Sequence, residues 1–258
     1  MGSSKNPVIL TFHSISEGNS PLRISLELFV QQMQWLKSKV RVVELSEVVD
    51  ALAGGRPLPE RAVVLTFDDG FCDFYLSAAP VLRRLGLPAT IFLPTSYCGR
   101  TNSWPGQPSW VKEQRLLSWE QVRELSSEGF RFGAHTINHP VLTSLPVSEA
   151  EREIADSKKH IEEQTGQPVE FFSYPYGRWN PALRDIVARH YKGACTTTAG
   201  VVTSSSEPFS LPRVDVHYLR HLPILRALFT RPFLVYLASR RFIRRVRREP
   251  EGGLYSQT

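Results

Sequence analysis

The chain has 258 residues, 41% of them apolar and 22% charged, and a formal net charge of +6. These proportions exclude disorder as the default, and the length suits one barrel-sized domain plus a tail. Nine arginines and no lysine or acidic residue fall between Arg220 and Arg248, so the basic character is local, which excludes an enzyme that grips a polyanion over its whole surface.

The opening segment, Met1 to Asn6, is polar, and the apolar run behind it ends at Phe12, too short for the core of a signal peptide. Cys72, Cys98 and Cys195 are odd in number and lack C-x-x-C spacing, which argues for reduced thiols rather than a disulfide framework. The expectation is a cytoplasmic protein.

Short apolar runs then alternate with helical patterns, which favours βα units and a mostly parallel sheet. Val8 to Phe12 reads as the first strand, Ser25 as the N-cap of a helix to Ser38, and Val40 to Val43 as a strand. Ser46 caps a helix that Gly54-Gly55 stops at Ala53, and Ala62 to Phe67 is a strand. A helix over Phe74 to Leu85 precedes the strand Ala89 to Leu93. Pro94 to Leu117 is a long connection carrying Trp104 and Trp110, the kind of loop that is usually functional, here as a sugar-binding flap or a self-packed insertion. Capping-box spacings at Ser118 and Ser148 predict helix starts on either side of a strand at Phe130 to Ala134. Strands at Val169 to Phe172, Gly193 to Thr196 and Leu211 to Val216, with a helix from Pro181 to Arg189, complete an α/β chain.

Two segments carry the chemistry. Thr66-Phe67-Asp68-Asp69-Gly70 puts adjacent carboxylates at the end of an apolar run, and His135-Thr136-Ile137-Asn138-His139-Pro140 puts two histidines after another. Pro140 keeps the second histidine off a regular helix, so both sit on a turn beyond a strand, where parallel barrels build active sites. One Asp and two His suit a divalent zinc, cobalt, nickel or iron ion with open coordination positions, and the second Asp is spare. Metal-assisted hydrolysis is the expected chemistry.

From about Val8 to Val216 the chain resembles the polysaccharide deacetylase family, carbohydrate esterases (family 4) that share the NodB homology domain. The resemblance rests on the T-F-D-D-G and H-T-I-N-H-P segments, and its pattern is nearest to bacterial exopolysaccharide deacetylases. It implies a distorted (β/α) barrel of about seven parallel strands over residues 1–218. Asp68 then matches the catalytic base, and Asp69, His135 and His139 the ligands of one divalent metal ion, zinc first among the candidates. Tyr174-Pro175-Tyr176-Gly177 resembles a third motif, in which a tyrosine amide binds the oxyanion and the motif lines the groove. The arginine that begins that motif and tethers the base is absent, with Ser173 in its place. Arg213 is the candidate replacement. For the general acid, His13 at the end of the first strand is preferred to His217. The implied activity is removal of N-acetyl groups from amino sugars of a polysaccharide or glycan precursor, free or lipid-linked. The alternatives are an O-acetyl esterase, a non-sugar amidase, or a carbohydrate-binding module that has lost turnover with the arginine.

Residues 219–258 form a basic tail with apolar residues at helical spacing. Its longest apolar run, Pro232 to Ala238, cannot span a bilayer. It reads as an interfacial helix on an anionic membrane or as a terminal helix packed on the barrel. No nucleic-acid-binding pattern accompanies it.

Overall fold

Alternation of side chains decides the architecture. In β1 (Val8–Phe12), Val8, Leu10 and Phe12 join a buried cluster shared with helical residues such as Phe29 and Met33, while Ile9 joins a second cluster. In β5 (Ala62–Phe67), Val63, Leu65 and Phe67 likewise belong to the first cluster, and Ala62 and Val64 to the second. A strand covered by helices on one side and closed into a barrel on the other must be apolar on both faces, which is why these segments read as continuous apolar runs.

The computed structural model describes residues 5–18 and 20–246, with side chains through residue 242. The other strands are β2 (Ser14–Ile15), β3 (Arg23–Ile24), β4 (Arg41–Val43), β6 (Thr90–Leu93), β7 (Arg131–Ala134), β8 (Phe171–Ser173), β9 (Gly193–Ala199) and β10 (Leu211–Asp215). The helices are α1 (Leu26–Lys39), α2 (Leu45–Ala53), α3 (Ala79–Leu85), α4 (Trp119–Ser127), α5 (Val147–Thr165), α6 (Pro181–His190), α7 (Leu222–Arg226) and α8 (Arg231–Val246). Seven parallel strands close in the order β1, β10, β9, β8, β7, β6, β5 and back to β1, a NodB-like (β/α) barrel. It is distorted at β5, whose outer edge is divided: Ala62 to Val64 carry β4, and Thr66 and Phe67 carry β6. The inward cluster of Ile9, Val64, Phe92, Phe171, Cys195 and Leu211 is plugged from below by Leu45, Val48 and Val49 of α2.

Several local expectations shift by a residue or more. The α2 helix begins at Leu45 rather than being capped by Ser46, whose hydroxyl donates to Glu44 instead. The helix after the Asp pair opens as a π-helical turn, Phe74–Ala78, before continuing as α3. The α5 helix starts at Val147 behind Pro146, so Ser148 lies inside it and caps nothing; Ser118 does form its capping box. β8 starts two residues late because Glu162 and Lys158 of α5 claim the backbone N–H and C=O of Val169. In the tail, Leu225, Leu228, Phe229, Phe233 and Leu237 are buried in the main core. The apolar stripe therefore packs on the barrel, the second of the two readings of this segment. No helix among the described residues is long and apolar enough to cross a membrane. Arg244, Arg245, Arg247 and Arg248 lie outside the described side chains.

Candidate active site

The inward face changes character along the strands. Two residues beyond Ile9 comes Thr11 and then His13; beyond Val64 come Thr66 and Asp68; beyond Phe171 comes Ser173; and beyond Leu211 comes Arg213. Period-two alternation thus carries each strand from an apolar floor to a polar mouth at its carboxyl end. All of these polar residues are buried.

Asp68 meets Arg213 in a two-pronged ion pair. Nη1 donates to Oδ1 at 2.8 Å and Nη2 donates to Oδ2 at 2.6 Å. Nη2 also reaches Ser173 Oγ at 3.0 Å, Ser173 Oγ donates to Asp68 Oδ2 at 3.3 Å, and Arg213 Nε donates to the Thr196 carbonyl at 2.9 Å. A smaller residue at position 173 makes room for a guanidinium arriving from β10, so the tether missing from the third motif is supplied from another strand. Burial alone would favour the protonated carboxyl of Asp68, but the Arg213 charge and hydrogen bonds outweigh it and hold the pKa below the usual range.

Beside this pair, Asp69, His135 and His139 converge, all buried. Asp69 Oδ1 lies 3.4 Å from Nε2 of each histidine, and the two Nε2 atoms are 3.2 Å apart. His135 Nδ1 donates to the Ser173 carbonyl at 2.7 Å, which fixes the tautomer with an Nε2 lone pair facing the cluster. A tetrahedral zinc with N and O ligands at about 2.0–2.2 Å separates those ligands by about 3.3–3.5 Å. The three atoms therefore have the spacing that one such ion requires. Burial lowers the pKa of His139 and so favours the neutral ligand form.

The backbone is strained where these side chains are aimed. Of the six non-glycine residues at positive φ among the described residues, four are Asp69, Thr136, His139 and Tyr176. Each such conformation costs about 1–2 kcal/mol, and such residues concentrate at functional sites. Pro140 does keep His139 in a turn, although the residue is left-handed rather than extended. Thr136 Oγ1 accepts from the His139 N–H at 2.9 Å, and Glu153 of α5 accepts from the N–H groups of Ile137 and Asn138 at 2.8 and 2.9 Å.

Tyr174, Pro175 and Tyr176 follow β8 at the same end of the barrel, and of the three only Tyr176 has its ring against the cluster. The Tyr174 amide donates to the Cys195 carbonyl and its hydroxyl to Phe209, so Tyr174 is a structural member of the motif. The Tyr176 ring lies 4.7 Å from His139. Gly177 behind it has φ 67°, and a Cβ there would stand 2.0 Å from Thr197 Oγ1. Gly177→Ala should cost more than about 2 kcal/mol, from the left-handed backbone and the overlap together. Chemical denaturation measures this, and an unchanged midpoint would show that the turn relaxes freely.

His13 is buried just beyond the end of β1, at the same end of the barrel as Asp68 and Asp69. His217 sits in the turn after β10, with its ring against Tyr218 and its N–H on Asp215. Sequence reasoning put Trp104 in a sugar-binding flap or a self-packed insertion; the structure buries it with its ring centroid 4.2 Å from that of His139. It also missed the Ser173 carbonyl, a backbone group that side-chain identity does not report, and Glu153, which nothing in its helical spacing distinguishes. All three cysteines are unpaired, and burial pushes the Cys195 thiol up to about 12.

A parallel barrel whose mouth gathers a tethered carboxylate beside an Asp-His-His cluster is the layout of a hydrolytic enzyme. Residues 55–192 match the sequence model described as Polysaccharide deacetylase. YxkH of Bacillus subtilis (strain 168), named for the same family, is 33% identical over 210 residues, 81% of this chain and 70% of its own. The poly-β-1,6-N-acetyl-D-glucosamine N-deacetylase of Staphylococcus epidermidis is 26% identical over 219 residues, 80% of this chain and 73% of its own. The solved structure of Streptococcus pyogenes deacetylase PplD in complex with acetate is similar at TM-score 0.72 and 30% identity, over 83% of this chain and 92% of that one. The chain belongs to the polysaccharide deacetylase family.

Proposed function

We propose that this protein hydrolyses the N-acetyl groups of amino sugars in a polysaccharide or glycan precursor, releasing acetate and a free amine. The observation that carries the reading is the ionised, Arg213-tethered Asp68 adjoining the three-atom cluster of Asp69, His135 and His139. When bound there, a divalent ion, zinc first among the candidates, acidifies water and polarises the acyl oxygen. Asp68 takes the proton from the attacking water. His13, buried at the end of β1 at the mouth that holds both carboxylates, gives a proton to the departing amine, whose basicity makes that transfer necessary. The Tyr176 amide, presented by a left-handed turn, stabilises the charge that develops on the acyl oxygen.

The N-acetylglucosamine polymer named for the Staphylococcus epidermidis relative supports the amino-sugar class. The Arg213 partner of Asp68 supports the enzyme reading over a module that has lost turnover. We place the protein in the cytoplasm, with the outer face of α8 touching an anionic membrane. There Val235 and Phe242 are exposed beside Arg231 and Arg241, which suits a lipid-linked precursor.

The test is acetate release with added zinc from N-acetylglucosamine oligomers and from a lipid-linked N-acetylamino sugar. Release from either is expected, and faster release from the lipid-linked form would support the membrane reading. A zinc-loaded protein that releases no acetate from either would rule out the amino-sugar assignment.

A further inference from the structure

The two histidines of the cluster are held in different ways. His135 is oriented by the 2.7 Å hydrogen bond from Nδ1 to the Ser173 carbonyl. His139 Nδ1 is buried, and among the described residues no protein acceptor reaches it. A metal-ligating histidine ordinarily donates its second ring N–H, which fixes the ring plane and raises the basicity of the ligand nitrogen. In place of that bond, His139 has aromatic neighbours. The Trp104 ring lies 4.2 Å away at 35°, and the Tyr176 ring lies 4.7 Å away at 70°.

Trp104 is itself seated firmly. It forms a small core with Phe71 and Leu116, and Tyr97 meets its ring edge-on at 5.4 Å. The hairpin that carries it is fixed by the Thr101–Arg115 and Phe71–Leu116 bridges. Buried Asn102 adds a further tie, accepting from the Gln114 N–H at 2.7 Å. Phe71 is the residue directly after Gly70, so the segment that supplies Asp69 also seats Trp104.

We infer that Trp104 is a positioning residue for His139: its flat face replaces the missing hydrogen bond and sets the imidazole plane for metal binding. The inference rests on the metal reading above. An imidazole without a second-nitrogen partner is free to rotate about its last side-chain bond unless a face stops it. Tyr176, edge-on, and Trp104, tilted at 35°, are the rings that restrain it. The long connection is therefore part of the metal site's support as well as a wall beside it.

The experiment tracks zinc transfer from the loaded full-length chain to a chromogenic chelator, together with the visible spectrum of the cobalt-substituted protein. Trp104→Ala should release zinc about 10-fold faster or more, the scale on which supporting groups act on metal affinity. It should also alter the cobalt bands. Trp104→Phe, which keeps a flat face, should restore a rate close to wild type. Trp104→Leu, which fills volume without a face, should behave like the Ala variant and serves in its place if that variant fails to fold. Leu183→Ala, in α6 and outside the Trp104 cluster, is a comparable loss of buried volume and should leave release nearly unchanged. Wild-type release from Trp104→Leu, or equally fast release from Leu183→Ala, would overturn the inference alone. Failure of the wild-type chain to take up either ion would overturn the metal reading with it.

Discussion

Asp68→Asn should retain metal and lose turnover. The expected fall in kcat for acetate release is about 10²–10⁴-fold, the usual contribution of a positioned general base. The amide keeps the shape of the carboxylate, and its oxygen can still accept from Arg213 Nη1, but its NH₂ then faces Nη2, another donor. Ser173, whose hydroxyl now donates to Asp68, can turn to accept instead. One imperfect contact should cost about 1–3 kcal/mol, so the folded fraction and the metal content must be measured alongside the rate. Asp69→Asn is the contrasting variant: it weakens one of the three converging donors and should lose metal and activity together. Normal turnover by metal-replete Asp68→Asn would show that another group accepts the proton.

Arg213→Met should be the most destabilising single change at the site. Both charges of the pair are nearly inaccessible, with side-chain exposures of 1% and 5%. Removing one partner leaves the other buried without compensation, at a cost of about 3–5 kcal/mol near neutral pH. The pH dependence has a definite sign. In the wild type the folded pKa of Asp68 is lowered, so its contribution to stability is present above about pH 4 and is lost as pH falls through the folded value. In Arg213→Met burial dominates and raises that pKa, so the contribution is present below about pH 4 and is lost as pH rises. The two proteins should therefore differ most near pH 7 and converge towards pH 4, which urea unfolding at the two pH values would measure. The acid limb of kcat/KM should also move to higher pH as Asp68 takes up a proton more easily. A pH-independent difference, or one below about 1 kcal/mol, would mean that the ion pair is not what keeps Asp68 ionised.

Most of the site was legible because its main pieces are local. Asp68 and Asp69 stand together at the end of one strand, and His135 and His139 share one turn. Strand ends can be read from apolar runs, and parallel barrels gather the residues just beyond those ends into one mouth. Seven of the ten strands were expected within one or two residues, and β9 was expected three residues short, to Thr196 rather than Ala199. The seven-strand barrel came from the family resemblance, because periodicity alone does not say that β1 pairs with β5 while β4 stays outside on the edge. Closure is a matter of which edges meet, and side-chain alternation reports faces rather than edges.

The misses are contacts that no pattern in the neighbouring residues announces. Val169 looks like a strand residue by composition, but the competing Glu162 and Lys158 side chains come from the preceding helix. The tail's apolar stripe suits a membrane surface or the barrel equally well until the barrel is there to cover it. Trp104 sits in a loop without periodicity, so no pattern in its neighbours points to His139.

Read without a fold, the residues already carry the chemistry on offer: a carboxylate pair, a histidine pair on a turn and a basic tail, to which the family resemblance adds a third motif lacking its arginine. These are properties of residue type and short spacing, which the chain carries whatever its fold. Only the tertiary structure decided that Arg213, 145 residues from Asp68, completes the pair, that Trp104 faces His139, and that α8 is bound to the barrel. Each of those contacts exists only once the closed sheet has brought remote strand ends within a few ångströms of one another.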